Sequence, residues 1–267
     1  MEEEKRVMIL DCDSVMFAIG NPNKVLDEFG VPMRTEDNKK FLYIDKTEEE
    51  LKSSADFMMN DIFVSSNCTH YIGYIKGKHT ISQRKAINPE YKSNRPKESP
   101  KWWNFCKDYL IKEYKVVEVD NIEVDDAVSI TKNQLKDSFI VAIDKDLLNL
   151  EGKHFNWRKR EWVEISKEQE KLYFWKSMIT GDVIDGIKGI PGKGIKYAEK
   201  TLSIDFINYQ STVLNTYISR FGEYEGISLF YKNYMSLKLL DSYEGFIIPE
   251  PNKVILKLEE NKVDNLL

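Results

Sequence analysis

The sequence predicts an α/β fold, a parallel central sheet flanked by helices, on three observations. Short apolar runs alternate with helix-spaced segments as strand, helix, strand, helix, strand. Two of the runs end abruptly at aspartates, as buried parallel strands do at their carboxyl ends. No apolar run approaches the roughly 18 residues needed to cross a bilayer, so these runs belong to a core.

Val7-Met8-Ile9-Leu10, ending at Asp11, reads as the first strand. Residues 20–50 are rich in Asn, Pro, Gly and charge and read as loop. Leu51 to Val64 has helical spacing, with Leu51, Ala55, Met58/Met59 and Ile62/Phe63 on one face. Thr69 to Ile75 reads as the second strand. Residues 76–101 contain Pro89, Pro96 and Pro100, which predicts loop or broken helices. Trp102 to Tyr114 then reads as helix, Lys115 to Val119 as strand, and Val124 to Leu135 as helix. Phe139 to Ile143 is the next strand and stops at Asp144. Trp162 to Thr180 reads as mostly helical. A Gly-rich turn at 186–194 leads into a final helical region, and Asn252 to Leu258 reads as a late strand.

A chain of 267 residues, 42% apolar and 12% aromatic, buries one good core or a core with a small appended domain. Its acidic N-terminus runs straight into a strand-like segment and does not resemble a signal peptide. Cys12, Cys68 and Cys106, with only His70, His79 and His154 beside them, form no zinc-ligand spacing. A reduced, cytosolic protein is expected. The net charge of −5 argues against a nucleic-acid partner, but its distribution does not. Residues 76–101 carry eight basic side chains against Glu90 and Glu98, a local charge of +6. Such a run by itself is most often a solvated face.

The carboxylates are more informative. Open α/β sheets place their sites at the carboxyl ends of the strands. Asp11 and Asp13 follow the first strand; Glu123, Asp125 and Asp126 begin the helix after the third. Asp144 and Asp146 follow the fourth, and Asp182 and Asp185 lie between a helix and the Gly-rich turn. Read singly, Asp125 and Asp126 are an ordinary acidic helix start, Asp13 a cap, and Asp182 and Asp185 turn residues. Together they would repel strongly in one crevice unless cations lay between them, and all-oxygen ligands select Mg²⁺ or Mn²⁺. Two such ions suit phosphodiester displacement.

In this order the residues resemble the 5′→3′ exonuclease and flap endonuclease superfamily, its bacteriophage exonucleases above all. The resemblance runs from Met8 to about Leu202. It rests on Met8-Ile9-Leu10-Asp11-Cys12-Asp13, Glu90-Tyr91-Lys92-Ser93-Asn94-Arg95, Glu123-Val124-Asp125-Asp126 and Asp144-Lys145-Asp146. Gly181-Asp182-Val183-Ile184-Asp185-Gly186 and Gly189-Ile190-Pro191-Gly192-Lys193-Gly194 complete it.

The resemblance implies a PIN-like nuclease core over residues 1–180, including an arch segment at 76–105. A helix–hairpin–helix element and a C-terminal helical region are implied over 181–267. It implies that Asp11, Glu123, Asp125, Asp126, Asp144, Asp146, Asp182 and Asp185 hold two Mg²⁺ or Mn²⁺ ions. Tyr91, Lys92 and Arg95 fall on the gateway for a single-stranded 5′ end, with Lys92 and Arg95 acting on the scissile phosphate. Arg84, Lys85 and Tyr91 are expected to contact DNA. Gly189, Gly192, Lys193 and Gly194 are expected to grip the duplex backbone, with a K⁺ ion at that element. The implied substrates are DNA 5′ ends, flaps or nicks, with an RNA–DNA hybrid left open, in replication, primer removal or host-DNA degradation. No membrane is implied.

Many relatives end the second strand in Gly-Asp, whereas here Gly73 is followed by Tyr74, so one metal position lacks its carboxylate. The basic stretch also interleaves with Tyr91, Trp102, Trp103 and Phe105, the composition of a single-strand groove, although tryptophans there also suit core packing. Three alternatives stay open: a haloacid-dehalogenase-type phosphatase using Asp11 as nucleophile, a non-catalytic binder of branched DNA, and an RNA-cleaving nuclease.

Overall fold

In the computed structural model, which describes residues 4–95, 98–203 and 208–257, the chain opens with strand β1 (Val7–Asp11), whose Met8, Ile9 and Leu10 are fully buried. It passes directly into helix α1 (Cys12–Gly20), an element for which the sequence supplied no expectation. Asp11 caps that helix by accepting the Asp13 N–H at 2.9 Å. The polar segment beyond carries a small ribbon, β2 (Asn23–Lys24) with β3 (Tyr43–Ile44). Helix α2 (Glu48–Ser66) starts on a capping box between Thr47 and Glu50 and ends where Asn67 turns left-handed at φ 51°.

Strand β4 (His70–Lys76), the short helix α3 (Ser82–Ile87), α4 (Trp103–Tyr114), β5 (Val117–Val119), α5 (Val124–Gln134) and β6 (Phe139–Val141) follow in the expected order. A single 3₁₀ turn spans Lys145–Asn149. Two elements then differ from the sequence reading. Residues expected to begin a helix at Trp162 instead form the second arm of a hairpin, β7 (Gly152–Asn156) and β8 (Glu161–Ile165). Glu161-Trp162-Val163-Glu164-Ile165 carries no regular alternation, and Ile165 alone of the five is buried. Helix α6 (Lys167–Thr180) begins only after Ser166, which forms a capping box with Gln169.

The remainder comprises β9 (Gly181–Asp182), β10 (Ile187–Lys188), α7 (Ile195–Leu202), α8 (Tyr209–Phe221), α9 (Glu223–Leu237) and β11 (Asn252–Lys253). The late strand is therefore two residues long, residues 238–251 are irregular, and Leu258 lies outside the described residues, as do Pro96 and Lys97.

The main sheet runs β11-β4-β1-β6-β7-β8, with β5 also paired to β4. The pairs β5–β4, β4–β1, β1–β6 and β6–β7 are parallel; β8 and β11 join antiparallel at the two edges. Strands β5 and β11 share one edge of β4, β5 against residues 74–76 and β11 against 70–71. Helices α1, α2 and α4 cover one face through Met16, Ile62, Phe63 and Leu110. Helix α5 and the segment after α9 cover the other through Val128, Ile130 and Leu239. A third cluster, with Met178, Leu202, Tyr217 and Phe230, unites α6 to α9. Trp103 is buried, and Trp102 and Phe105 are half-buried against the first cluster, so none is a free stacking platform. Because the central strands are parallel, the ends of β1, β4, β5 and β6 lie along one rim.

Candidate metal centre and its basic cover

Each carboxylate at that rim is held by the element that delivers it. Asp11 ends β1, opposite Tyr74 in register, and is nearly fully buried. Asp13 lies in the first turn of α1 and accepts the Lys76 N–H at 2.9 Å, which ties it to the end of β4. Asp144 caps the 3₁₀ turn by accepting the Asp146 N–H at 2.9 Å. Asp125 and Asp146 project from the first turns of α5 and of that 3₁₀ turn. Neither side chain has a hydrogen-bond or ion-pair partner among the described residues.

Burial pushes the Asp11 carboxyl up to about 7, reinforced by the charges of Asp13 and Asp144. Burial likewise raises Asp13, and raises Asp125 well above the carboxylate range, with Asp144, Asp11 and Glu123 adding to it. Asp146 is pushed up to about 6 by burial and then by Asp144 and Asp182. These side chains form one electrostatic group short of positive charge. Among the described residues, no three His, Cys, Asp or Glu side chains are grouped so as to hold a metal ion.

The other four predicted ligands are already paired with cations. Lys92 reaches Glu123 with a short contact and Asp185 at 3.4 Å, and Arg95 reaches Asp185 at 2.6 Å. Burial alone would lower the Lys92 pKa, but Glu123 and Asp185 outweigh it and raise the pKa. Lys145 reaches Asp182 at 3.2 Å. The Asp182 carboxyl, which burial would raise, is held below its ordinary value by the Asp185 and Ile184 N–H groups and Lys145. The turn carrying Asp185 docks on the arch segment. The Lys92 N–H donates to the Asp185 carbonyl at 2.9 Å, and Gly186, at φ 72°, lies where a Cβ would stand 2.7 Å from the Glu90 carbonyl oxygen.

Two expected DNA contacts are corrected by burial. Arg84 is 8% exposed and its guanidinium is turned inward to Glu123 and Asp126. Tyr91 is 3% exposed and its hydroxyl donates to Glu123 at 2.6 Å and Asp185 at 3.1 Å, so its ring offers no surface for a base. Lys85 is exposed. Asp126 is buried and engaged on both oxygens: Arg84 Nη2 and the Leu240 N–H on Oδ1, Arg84 Nη1 and the Glu123 N–H on Oδ2. Tyr74, at the position expected to lack a carboxylate, points into the α5 side of the core, where its hydroxyl meets the Thr131 hydroxyl at 2.6 Å. Asp13, placed among the strand-end acids but left out of the expected ligands, instead reaches the end of β4. Its i+2 spacing from Asp11, at a strand-to-helix junction, is the signal that marks it.

Helix α6, the β9–β10 hairpin and α7 follow one another around Gly189–Gly194, where a helix–hairpin–helix element is expected. Gly181 and Gly189 lie back to back, and a Cβ on Gly181 would stand 2.2 Å from the Gly189 nitrogen. Gly189 therefore serves the close packing of the hairpin. Gly192, at φ 77°, and Gly194 are exposed, and Gly194 caps α7 without a side chain. The first-turn N–H groups of α7 consequently meet solvent, the arrangement that receives phosphate oxygens. Lys193 stands beside them with its ammonium 4.0 Å from the Tyr197 ring centroid.

No family model matches the sequence, and no curated protein matches it. Among solved structures the chain is similar in fold to two from bacteriophage T5. One is the T5 flap endonuclease in a pseudo-enzyme–product complex with DNA and metal ions (TM-score 0.62, 15% identity, 87% of this chain and 89% of that chain). The other is the T5 5′-exonuclease with zinc ions bound (TM-score 0.62, 16% identity, 88% of this chain and 90% of that chain). The architecture described above is thus the PIN-like fold of those nucleases.

Proposed function

We propose that the chain is a divalent-metal-dependent 5′-nuclease acting on DNA, with exonuclease and flap-endonuclease activity as its two modes. One observation carries the reading: Lys92 and Arg95, remote in sequence from the strand-end acids, cover Glu123 and Asp185 at the rim of a carboxylate cluster. A phosphate backbone can take the place of those carboxylates on Lys92 and Arg95, while cations balance the carboxylates so released. The fold likeness to the T5 enzymes, one solved with DNA and metal ions and the other with zinc, supports the same reading.

The donor set suits a hard divalent cation, because Asp11, Asp13, Asp125, Asp144 and Asp146 offer only oxygen and have no cationic side chain paired to them among the described residues. Mg²⁺ or Mn²⁺ held there supplies Lewis acidity at the scissile phosphate. The chain's own groups do the rest. Lys92 presents a compact positive charge to the phosphate, Arg95 a half-exposed fork suited to two phosphate oxygens, and Tyr91 holds Glu123 by its hydroxyl. The open first turn of α7, with Lys193, grips the duplex backbone away from the reacting bond. A K⁺ ion at that turn and an RNA–DNA hybrid as substrate belong to the same proposal. The phosphatase alternative leaves the placement of Lys92 and Arg95 without a role.

The test is incubation of 5′-labelled duplex and flap DNA with the protein in Mg²⁺ or in EDTA. Short 5′-labelled products in Mg²⁺ alone are expected. No product in either Mg²⁺ or Mn²⁺, with binding to branched DNA intact, would leave a non-catalytic binder. Turnover of a chromogenic phosphomonoester in its place would make the chain a phosphatase.

A further inference from the structure

Arg84 stands in α3 at the base of the arch segment, yet every polar hydrogen of its guanidinium is committed inside the protein. Nε donates to the Ser236 carbonyl at 3.1 Å. Nη1 donates to Glu123 at 2.9 Å and to Asp126 at 2.6 Å. Nη2 donates to Asp126 at 2.8 Å and to the Lys238 carbonyl at 3.0 Å. Five N–H groups meet five contacts in a fixed planar fork, a geometry that an ammonium on a flexible stem does not reproduce.

The partners come from three parts of the chain. Glu123 and Asp126 begin α5, Ser236 ends α9, and Lys238 opens the irregular segment that leads to β11. Asp126 extends the link by accepting the Leu240 N–H at 3.0 Å and the Glu123 N–H at 3.2 Å. With both oxygens filled by protein donors, Asp126 has no lone pair directed at an ion. Glu123 differs: one of its oxygens takes Arg84 and Tyr91, and the other faces Lys92.

From this geometry we infer that Arg84 is a positioning residue of the proposed metal centre and that Asp126 is its anchor rather than a ligand. Resting on the 5′-nuclease reading, the pair fixes the carboxylate of Glu123 toward Lys92. It also clamps the segment after α9 to the base of the arch. Groups that orient a ligand in this way typically change metal affinity or activity by roughly 10–100-fold when altered.

Arg84→Lys keeps the charge and Asp126→Asn keeps the shape. Each is compared with wild type by calorimetric titration with Mn²⁺ in the absence of DNA, and by kcat and KM on flap DNA. Thermal melting identifies any variant that fails to fold. Expected are a fall in Mn²⁺ affinity of roughly 10-fold in both variants and a double variant no worse than either alone. The accompanying kinetic expectation is a lower kcat with KM changed by less than about threefold.

Arg84→Lys with unchanged Mn²⁺ affinity beside a weakened Asp126→Asn would make Asp126 a direct ligand and overturn the inference. Unchanged Mn²⁺ affinity with weaker DNA binding in Arg84→Lys would make Arg84 a bidentate phosphate contact and overturn it equally. Should neither variant melt as a folded protein, Ser236→Pro is not a substitute; Leu240→Ala, which keeps the N–H while loosening the segment around it, is expected to lower Mn²⁺ affinity in the same direction. Wild type that binds no Mn²⁺ would sink the nuclease reading itself, a result distinct from variants that match a Mn²⁺-binding wild type.

Discussion

At the scale of single residues, burial decides which charges are available for chemistry. Arg84, Lys92 and Arg95 are all basic members of one segment, but only Arg95 is half-exposed; Arg84 and Lys92 are drawn onto carboxylates. Lys92 is held at Glu123 and Asp185, so on the proposed nuclease reading its transfer to a phosphate would be an exchange of partners. Lys92→Ala is expected to slow cleavage by roughly 10²-fold or more, the usual cost of losing a charge contact to a transition state. Single-turnover kinetics on flap DNA measure it, and a rate within twofold of wild type would make Lys92 a packing residue of the arch. The sequence made Arg84 and Tyr91 look like surface contacts because charge and aromaticity carry no sign of direction. Their inward turn depends on Asp126 and Asp185, which are 42 and 94 positions away.

At the scale of elements, the β9–β10 hairpin between α6 and α7 depends on two glycines that touch. A Cβ on Gly189 would stand 2.2 Å from the Thr180 carbonyl carbon, which is backbone and cannot rotate aside. Gly189→Ala is expected to destabilise the protein by about 1–3 kcal/mol, in the range for overpacked sites. Chemical denaturation tests this, with an unchanged midpoint as the contrary result. Lys193→Ala, on an exposed turn, is expected to leave stability alone and to reduce the salt slope of DNA binding by about one.

Most of these elements were readable: β1, β4, β5 and β6 from their short apolar runs, and α2, α4 and α5 from helical spacing. Helix α1 had no expectation because its first residues, Cys12 and Asp13, belong to the acidic motif that follows β1. The β7–β8 hairpin was missed because Trp162 and Val163 are exposed at 46% and 43%, so no apolar stripe marks the strand. The segment after α9 has no period at all; it is placed by Arg84, by Phe246 packing on Tyr74, and by the β11–β4 pairing.

At the scale of the molecule, the fold gathers like charge along one rim and thereby couples stability to pH and to cations. An unfolded Asp11 would ionise near 3.8, whereas in the folded protein it keeps its proton up to about 7, and Asp146 up to about 6. Both pKa values are raised by folding. Their contribution is therefore fully present below about pH 4 and is lost as pH rises toward 7. Divalent cations offset that loss by favouring the ionised form. The rise in melting temperature produced by Mg²⁺ is expected to be small at pH 5 and to grow through pH 8. Scanning fluorimetry across that range checks it, and a Mg²⁺ effect independent of pH would contradict it.

The most direct measurement is made on Asp146→Asn beside wild type, because Asp146 lies in the acidic group and its carboxylate has no hydrogen-bond or ion-pair partner among the described residues. Both proteins are titrated with 5′-labelled flap DNA for affinity and then followed for cleavage in Mg²⁺. Expected are wild-type release of 5′-labelled products and a variant that binds within a few-fold of wild type but does not cleave. Cleavage by Asp146→Asn at the wild-type rate would contradict the metal centre as the seat of the chemistry.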